Sequence, residues 1–237
     1  MRALAVIPAR YGSTRFPGKP LARLAGKPMI QHVCERVGRA RGLSGVLVAT
    51  DDARIRDVVL GFGGQVVLTG ECRTGTDRVH EAARGLEADV VVNVQGDEPL
   101  IDPLAVEALL GAFAEPVVRM ATLCRPLAAD EEANPNVVKV VCALSGDALY
   151  FSRARVPFPR GSPAQAFAHV GVYAYRRDFL AEVAALPTTP LEQAESLEQL
   201  RVLEHGHRIR VVPTGWRGLG VDTPEDLAKA EALLARG

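Results

Sequence analysis

This 237-residue sequence predicts an α/β protein with a doubly wound, mostly parallel sheet and a small antiparallel extension. Through the first half, apolar runs alternate with segments of helical periodicity. Those runs are apolar almost throughout, as in strands covered on both faces. Beyond about residue 117 the rhythm changes to strand-like runs without long helices between them.

Ala3 to Ile7 is the first strand, and it runs into IPARYGSTRFPGKP (residues 7–20). Here Arg10, Arg15 and Lys19 lie among glycines, prolines and small hydroxyls. Gly12 and Gly18 permit close backbone approach, and Ser13 and Thr14 add hydroxyl donors and exposed N–H groups. These are the ingredients of an anion nest, so the loop is expected to meet a polyphosphate. It is not a P-loop, which needs four residues between its glycines and a Ser or Thr after the lysine; five separate Gly12 from Gly18, and Pro20 follows Lys19. A basic surface loop is the alternative reading.

Ile30, Val33, Cys34 and Val37 then fall at i, i+3, i+4, i+7 and predict a helix. Val46 to Ala49 is a strand, and Ile55, Val58, Val59 and Phe62 mark the next helix. Gly61-Phe62-Gly63-Gly64 closes that helix instead of opening one, so it is no dinucleotide fingerprint. Gln65 to Leu68 is a strand. Thr74-Gly75-Thr76-Asp77-Arg78 offers hydroxyls and a guanidinium, although an ordinary helix start explains much of it. Val79, Ala82, Ala83 and Leu86 form a helical stripe, Val90 to Val94 a buried strand, and Val106, Leu109, Leu110 and Phe113 a fourth helix. Right-handed crossovers place ligands at the carboxyl ends of such strands. Both the Arg10–Lys19 loop and Gln95-Gly96-Asp97 lie there.

In the second half, Val117 to Cys124, Val137 to Ala143, Leu149 to Phe151 and Val170 to Tyr175 read as strands. Arg155 to Pro163 reads as a mobile loop, and Leu191 to Glu204 as one helix. Strand Ile209 to Val212 leads to Gly215–Gly220 and then VDTPED (residues 221–226). Thr223 is a good N-cap, with Pro224 at the first helical position.

Asp97 follows a buried strand and Asp222 ends another apolar strand before a helix start. Taken singly, Asp97 has a turn acid as its alternative reading, and Asp222 reads equally as a cap-region residue. Together, facing a cationic loop, they make a sensible Mg²⁺ site, because this hard ion takes few protein carboxylates and completes its shell with phosphate oxygens and water. Phosphoryl or nucleotidyl transfer is the implied chemistry.

Lys plus Arg and Asp plus Glu number 28 each, so no overall field favours nucleic acid or an anionic membrane, and small ligands fit better. Ala3 to Ile7 is too short for a signal-peptide core and no segment is long enough to span a membrane, so a cytoplasmic protein is expected. Cys34, Cys72, Cys124 and Cys142 have no zinc spacing and are expected to be buried free thiols. His169, His205 and His207 carry no zinc pattern either.

Several motifs in one order carry a family resemblance: PARYGSTRFPGKP (8–20), NVQGDEP (93–99), NPNVVKVV (134–141), YFSRA (150–154), SLEQLRVL (196–203) and GVDTPED (220–226). The sequence resembles the 3-deoxy-manno-octulosonate (Kdo) cytidylyltransferase family, the CMP-Kdo synthetases. That resemblance implies a nucleotide-diphospho-sugar transferase fold over 1–237, with residues about 117–215 supplying a sugar-binding and dimerisation subdomain. It also implies a homodimer, Mg²⁺ as cofactor, and the reaction of CTP with Kdo to CMP-Kdo and pyrophosphate, which serves lipopolysaccharide biosynthesis. By matching positions, Arg10, Ser13, Arg15 and Lys19 are implied to hold CTP, with Thr74, Arg78 and Gln95 near the nucleoside. Asp97 and Asp222 are implied to hold the metal. Lys19 and Arg15 would neutralise the leaving pyrophosphate. Arg153, His169, Tyr173, Glu198 and Gln199 are implied to line the sugar pocket, and the loop between Arg153 and His169, which contains Arg160, is shorter than the family's. A transferase for a related acid sugar, the 8-amino Kdo analogue or a sialic acid, is the neighbouring alternative. A non-catalytic nucleotide sensor on the same fold should lack one metal carboxylate, and both are present.

Overall fold

The computed structural model describes residues 1–12, 16–161 and 165–235. In chain order the elements are β1 (Ala3–Ala9), β2 (Arg23–Leu24), β3 (Lys27–Pro28), α1 (Met29–Val37), β4 (Leu43–Thr50), α2 (Ala53–Gly61), β5 (Gln65–Leu68), α3 (Gly75–Ala83), β6 (Val90–Asn93) and α4 (Pro103–Gly111). There follow β7 (Met120–Pro126), β8 (Lys139–Cys142), β9 (Ala148–Ser152), β10 (Phe167–Arg176), α5 (Arg177–Ala185), α6 (Pro190–Glu195), α7 (Gln199–Glu204), β11 (Arg210–Pro213) and α8 (Pro224–Leu234). Two compact units result, Met1–Glu107 with Gly218–Gly237, and Ala108–Arg217. Among the described residues no helix is long and apolar enough to cross a membrane.

In the first unit, β6, β1, β4 and β5 lie side by side and all pair in parallel. Every residue of β6 is buried, its three valines as their apolarity predicts and Asn93 with them. The expected crossover helices are present, burying Ile30 and Val33 from α1, Ile55 and Val59 from α2, Val79 and Ala83 from α3, and Val106 and Leu109 from α4. Each such Val, Ile or Leu contributes about 1.5–3 kcal/mol when fully buried. The first helix ends on its last periodic residue, Val37, whereas the other three stop short: Phe62 caps α2, Leu86 lies beyond α3, and Phe113 lies in a 3₁₀ turn after α4.

No strand precedes Asp222. Residues 214–222 form no regular element, and Val221 is instead buried with Leu24, Met29 and Ala230, with Phe16, Leu219 and Leu227 packed against them. An irregular segment is thereby fixed by its apolar side chains.

In the second unit β7 pairs in parallel with β11 and antiparallel with β10; β10 also pairs with β8, and β8 with β9, both antiparallel. This is the antiparallel extension. The single helix expected over Leu191–Glu204 is two, because Ser196 adopts the left-handed conformation at φ 51° and ends α6. Glu204 of α7 accepts from the Leu191 and Glu192 N–H groups, and Arg201 pairs bidentately with Glu192, which holds the two short helices together. Residues 155–161 contain no helix or strand, and the rest of the expected loop lies outside the described residues. All four cysteines are free, but only Cys124 is buried; Cys34, Cys72 and Cys142 are partly exposed, contrary to expectation.

Candidate active site

The carboxyl ends of the first unit's strands gather the strongest cluster of charge. Gly18 opens the 3₁₀ turn Lys19–Leu21 in the left-handed region at φ 71°, and its N–H donates to the Tyr11 carbonyl at 3.0 Å. A Cβ at that position would also meet the Tyr11 ring at 3.1 Å, so glycine is needed on both counts. Lys19 follows, and its ammonium donates to Asp97 Oδ2 at 2.6 Å and to Asp222 Oδ1 at 3.1 Å. Three residues that sequence reading placed in one site are thus in direct contact.

Backbone bonds bring the two acids together. After β6 the chain passes so close to β1 that a Cβ on Gly96 would stand 2.9 Å from the Pro8 carbonyl oxygen. Beyond it, the Val221 N–H donates to the Asp97 carbonyl at 2.9 Å, and the Leu219 N–H donates to Glu98 Oε2 at 3.2 Å. Asp222 then leads into α8, whose N-cap Thr223 accepts from the Asp226 N–H at 3.2 Å. Sequence reading missed Glu98. Burial, and after it the neighbouring Asp97 charge, push its carboxyl up to about 8.

The remaining nucleotide candidates among the described residues, Arg10, Thr74, Arg78 and Gln95, follow strands or open a helix of the same unit. Arg10 is exposed immediately after β1. Thr74 caps α3, accepting from the Asp77 N–H at 3.1 Å, which realises the helix-start reading. Arg78 is buried and donates to Asp51 Oδ2 at 2.6 Å and Thr69 Oγ1 at 2.5 Å, tying α3 to the ends of β4 and β5. Gln95 donates to Asn93 Oδ1 at 3.3 Å. Ser13 and Arg15 lie outside the described residues.

The sugar candidates all belong to the second unit. His169 and Tyr173 sit on β10 with ring centroids 5.4 Å apart, and Phe151 meets the imidazole edge-on at 5.0 Å. Between Val170 and Tyr173, β10 advances three residues while β7 advances one. The two extra residues preserve side-chain parity, so both rings stay on one face. Thr122 fills this bulge: its hydroxyl donates to the Val172 carbonyl at 2.9 Å and lies 2.9 Å from His169 Nε2. Burial lowers the His169 pKa to about 3, keeping the ring neutral. Tyr173 is raised by burial and then by the Tyr175 and Glu198 charges.

Arg153 is already engaged by backbone carbonyls. Its guanidinium donates to the carbonyls of Glu195 at 2.7 Å, Pro135 at 3.0 Å and Ser196 at 3.3 Å, so a substrate carboxylate would have to displace or share these partners. Glu198 is exposed before α7, and Gln199 is buried with no hydrogen-bond partner for its amide nitrogen among the described residues. Arg160 is exposed. Thr122 and Glu195, which help organise this region, carry no local motif, and Lys139 lies within the 134–141 segment without having been singled out. His205 Nδ1 donates to the Arg201 carbonyl at 2.8 Å, and His207 packs edge-on against Phe179.

Among the described residues no three His, Cys, Asp or Glu side chains cluster as metal ligands. A cavity of about 210 Å³, lined by Arg119, Phe179, His207 and Arg210 among others, contains none of the candidate residues.

Comparison with known proteins identifies the family. The protein family described as cytidylyltransferase matches positions 4–209. The chain is 60% identical to a 3-deoxy-manno-octulosonate cytidylyltransferase of Anaeromyxobacter sp. (strain K), over 100% of both chains. It is 56% identical to the same-named protein of Myxococcus xanthus (strain DK1622), over 100% of this chain and 98% of that one. The solved structure of a CMP:2-keto-3-deoxy-manno-octonic acid synthetase complexed with CTP superposes with a TM-score of 0.97 at 50% identity, covering 100% of this chain and 99% of the other.

Proposed function

The chain belongs to the 3-deoxy-manno-octulosonate cytidylyltransferase family, and from that premise we propose that it joins CTP to Kdo in a Mg²⁺-dependent reaction that yields CMP-Kdo and pyrophosphate. The carrying observation is the Lys19 ammonium shared by Asp97 and Asp222 at the carboxyl edge of a parallel sheet. Two carboxylates that already converge on one cation are the hard-oxygen donor set Mg²⁺ takes when phosphates and water complete its shell. Asp97 and Asp222 would hold that ion, which supplies neutralising charge at the phosphates when bound.

The anomeric C2 hydroxyl of Kdo attacks the α-phosphorus of CTP in line, and pyrophosphate leaves. Positioning and charge carry most of the acceleration. Lys19 neutralises charge developing on the leaving group, in the manner of a preorganised electrostatic stabiliser. Arg10 and Arg15 join it on the phosphates, with Ser13 as a hydroxyl donor. Thr74, Arg78 and Gln95 face the nucleoside. His169, Tyr173, Glu198, Gln199 and Arg153 hold the sugar acid. Neutral His169 suits hydrogen bonding to a sugar hydroxyl better than pairing with its carboxylate. A homodimeric, cytoplasmic enzyme serving lipopolysaccharide biosynthesis accords with this reading.

The test is pyrophosphate release over CTP, UTP, ATP and GTP against Kdo, its 8-amino analogue and a sialic acid, with and without Mg²⁺. Release with CTP and Kdo, abolished by chelation, is expected. Equal turnover with purine triphosphates, or turnover indifferent to chelation, would overturn the reading.

A further inference from the structure

Lys139 of β8 is fully buried, and among the described residues it forms no ion pair. Its ammonium donates instead to the carbonyls of Asn134 at 2.6 Å and Arg153 at 3.0 Å. Burial and the Arg155 charge lower its pKa, against only the more distant Glu131. A desolvated ammonium whose direct partners are carbonyls is costly, and a methionine of similar length would fill the space at less cost. What the lysine supplies is a fixed point for two separate segments.

Arg153 extends that point into a knot. Besides the three carbonyls taken by its guanidinium, its N–H donates to Glu195 Oε2 at 2.9 Å, while the Ser152 hydroxyl donates to Glu195 Oε1 at 2.7 Å. Residues 134–135, 152–153 and 195–196 are thereby tied together. At the knot stands Ser196, a non-glycine residue at φ 51°, a conformation that L side chains rarely adopt. Three residues later comes Gln199, 5% exposed and with its amide nitrogen unpartnered among the described residues. An unpaired buried donor and a strained backbone both disfavour folding, and their occurrence together points to a binding function.

We propose that Lys139 is a positioning residue for the acceptor substrate: by gathering the Asn134 and Arg153 carbonyls it holds the Arg153–Glu195 knot, which sets the left-handed turn at Ser196 and presents the Gln199 amide to an oxygen of the sugar acid. This rests on the cytidylyltransferase reading above. Without the knot, residues 191–204 have the periodicity of one continuous helix, and Gln199 would take a different place on it.

Lys139→Met and Glu195→Gln test it, measured by thermal denaturation, by calorimetric CTP binding, and by kcat and KM for Kdo at saturating CTP. The KM for Kdo should rise about tenfold or more in Lys139→Met, with CTP affinity unchanged. Glu195→Gln, which keeps size and shape, should raise the same KM by about threefold or more and stands in if Lys139→Met does not fold. An unchanged KM for Kdo in a folded variant overturns the proposal. So does a parallel loss of CTP affinity, KM and kcat, which marks a general structural role. Wild-type protein that releases no pyrophosphate from CTP and Kdo overturns the functional reading instead, and with it the acceptor assigned to Gln199.

Discussion

Asp97 and Asp222 differ in what surrounds them, although both touch Lys19. The Asp97 backbone is locked between Gly96 and the Val221 N–H, whereas the Asp222 side chain is 43% exposed and lies at the mouth of α8. Asp97→Asn and Asp222→Asn keep the shape and remove one charge each, so both should lower turnover by about a hundredfold or more while leaving the far-ultraviolet circular dichroism unchanged. A steady-state assay at saturating Mg²⁺ decides this, and near-wild-type kcat in either variant excludes that residue from the metal. His169 makes a separate, pH-dependent prediction. Burial between Phe151, Tyr173 and Thr122 lowers its pKa from 6.5 to about 3, so between those values the folded protein holds fewer protons than the unfolded chain. The stability it contributes is full above pH 6.5 and is lost as pH falls toward 3. His169→Gln, which cannot take up that proton, should therefore flatten the fall in melting temperature between pH 7 and about 5, before most carboxylates titrate. Parallel melting curves for the two proteins across that range would refute the buried-imidazole account.

At the scale of elements, α8 is the helix whose start controls a candidate site residue, because Asp222 directly precedes its N-cap. Thr223→Ala removes the side-chain acceptor for the Asp226 N–H and should cost about 1 kcal/mol, read from urea denaturation. The cap was legible in the sequence because Thr-Pro-Glu-Asp combines a capping hydroxyl, a proline at the first turn and early acids. The strands and crossover helices of the first unit were legible for a similar reason: Ile30, Val33 and Val37, or Ile55 and Val59, keep a period that tertiary structure does not override. By contrast, α5 follows β10 with no glycine or proline between Tyr175 and Phe179, so nothing local marks the change of period. The break at Ser196 was hidden because serine carries no signature for the left-handed region, and the bonds that impose it come from Arg153, 43 positions away. Lys19, Asp97 and Asp222 each lie beside a turn or cap and were read together as one site. Their direct contact was not legible, since Lys19 meets carboxylates 78 and 203 positions distant.

Over the whole molecule, acids and bases balance at 28 each, so attraction for a triphosphate must come from local arrangement and not from a global field. The first unit is also discontinuous in sequence: Met1–Glu107 is completed only when Gly218–Gly237 returns, and that return supplies Asp222. Lys19 can bridge the two acids only in the finished fold. Its bridging has an energetic corollary for ligand entry. If Mg²⁺ takes Asp97 and Asp222 as proposed, the ammonium is its internal competitor and uptake of the ion becomes an exchange, in which the lysine must be given other anions as it departs. A triphosphate offers those anions, and by linkage nucleotide and metal then raise each other's affinity by a common factor. With the nucleotide withheld, Lys19→Met should bind Mg²⁺ more tightly than the wild type by about tenfold or more in calorimetric titration, since nothing then competes for the paired oxygens. Equal affinities would mean that the ammonium and the metal do not contend for the same place. If the exchange holds, the protein discriminates against metal that arrives without its nucleotide, and a lysine that serves the reaction also keeps the resting site from being filled by the wrong half of the substrate complex.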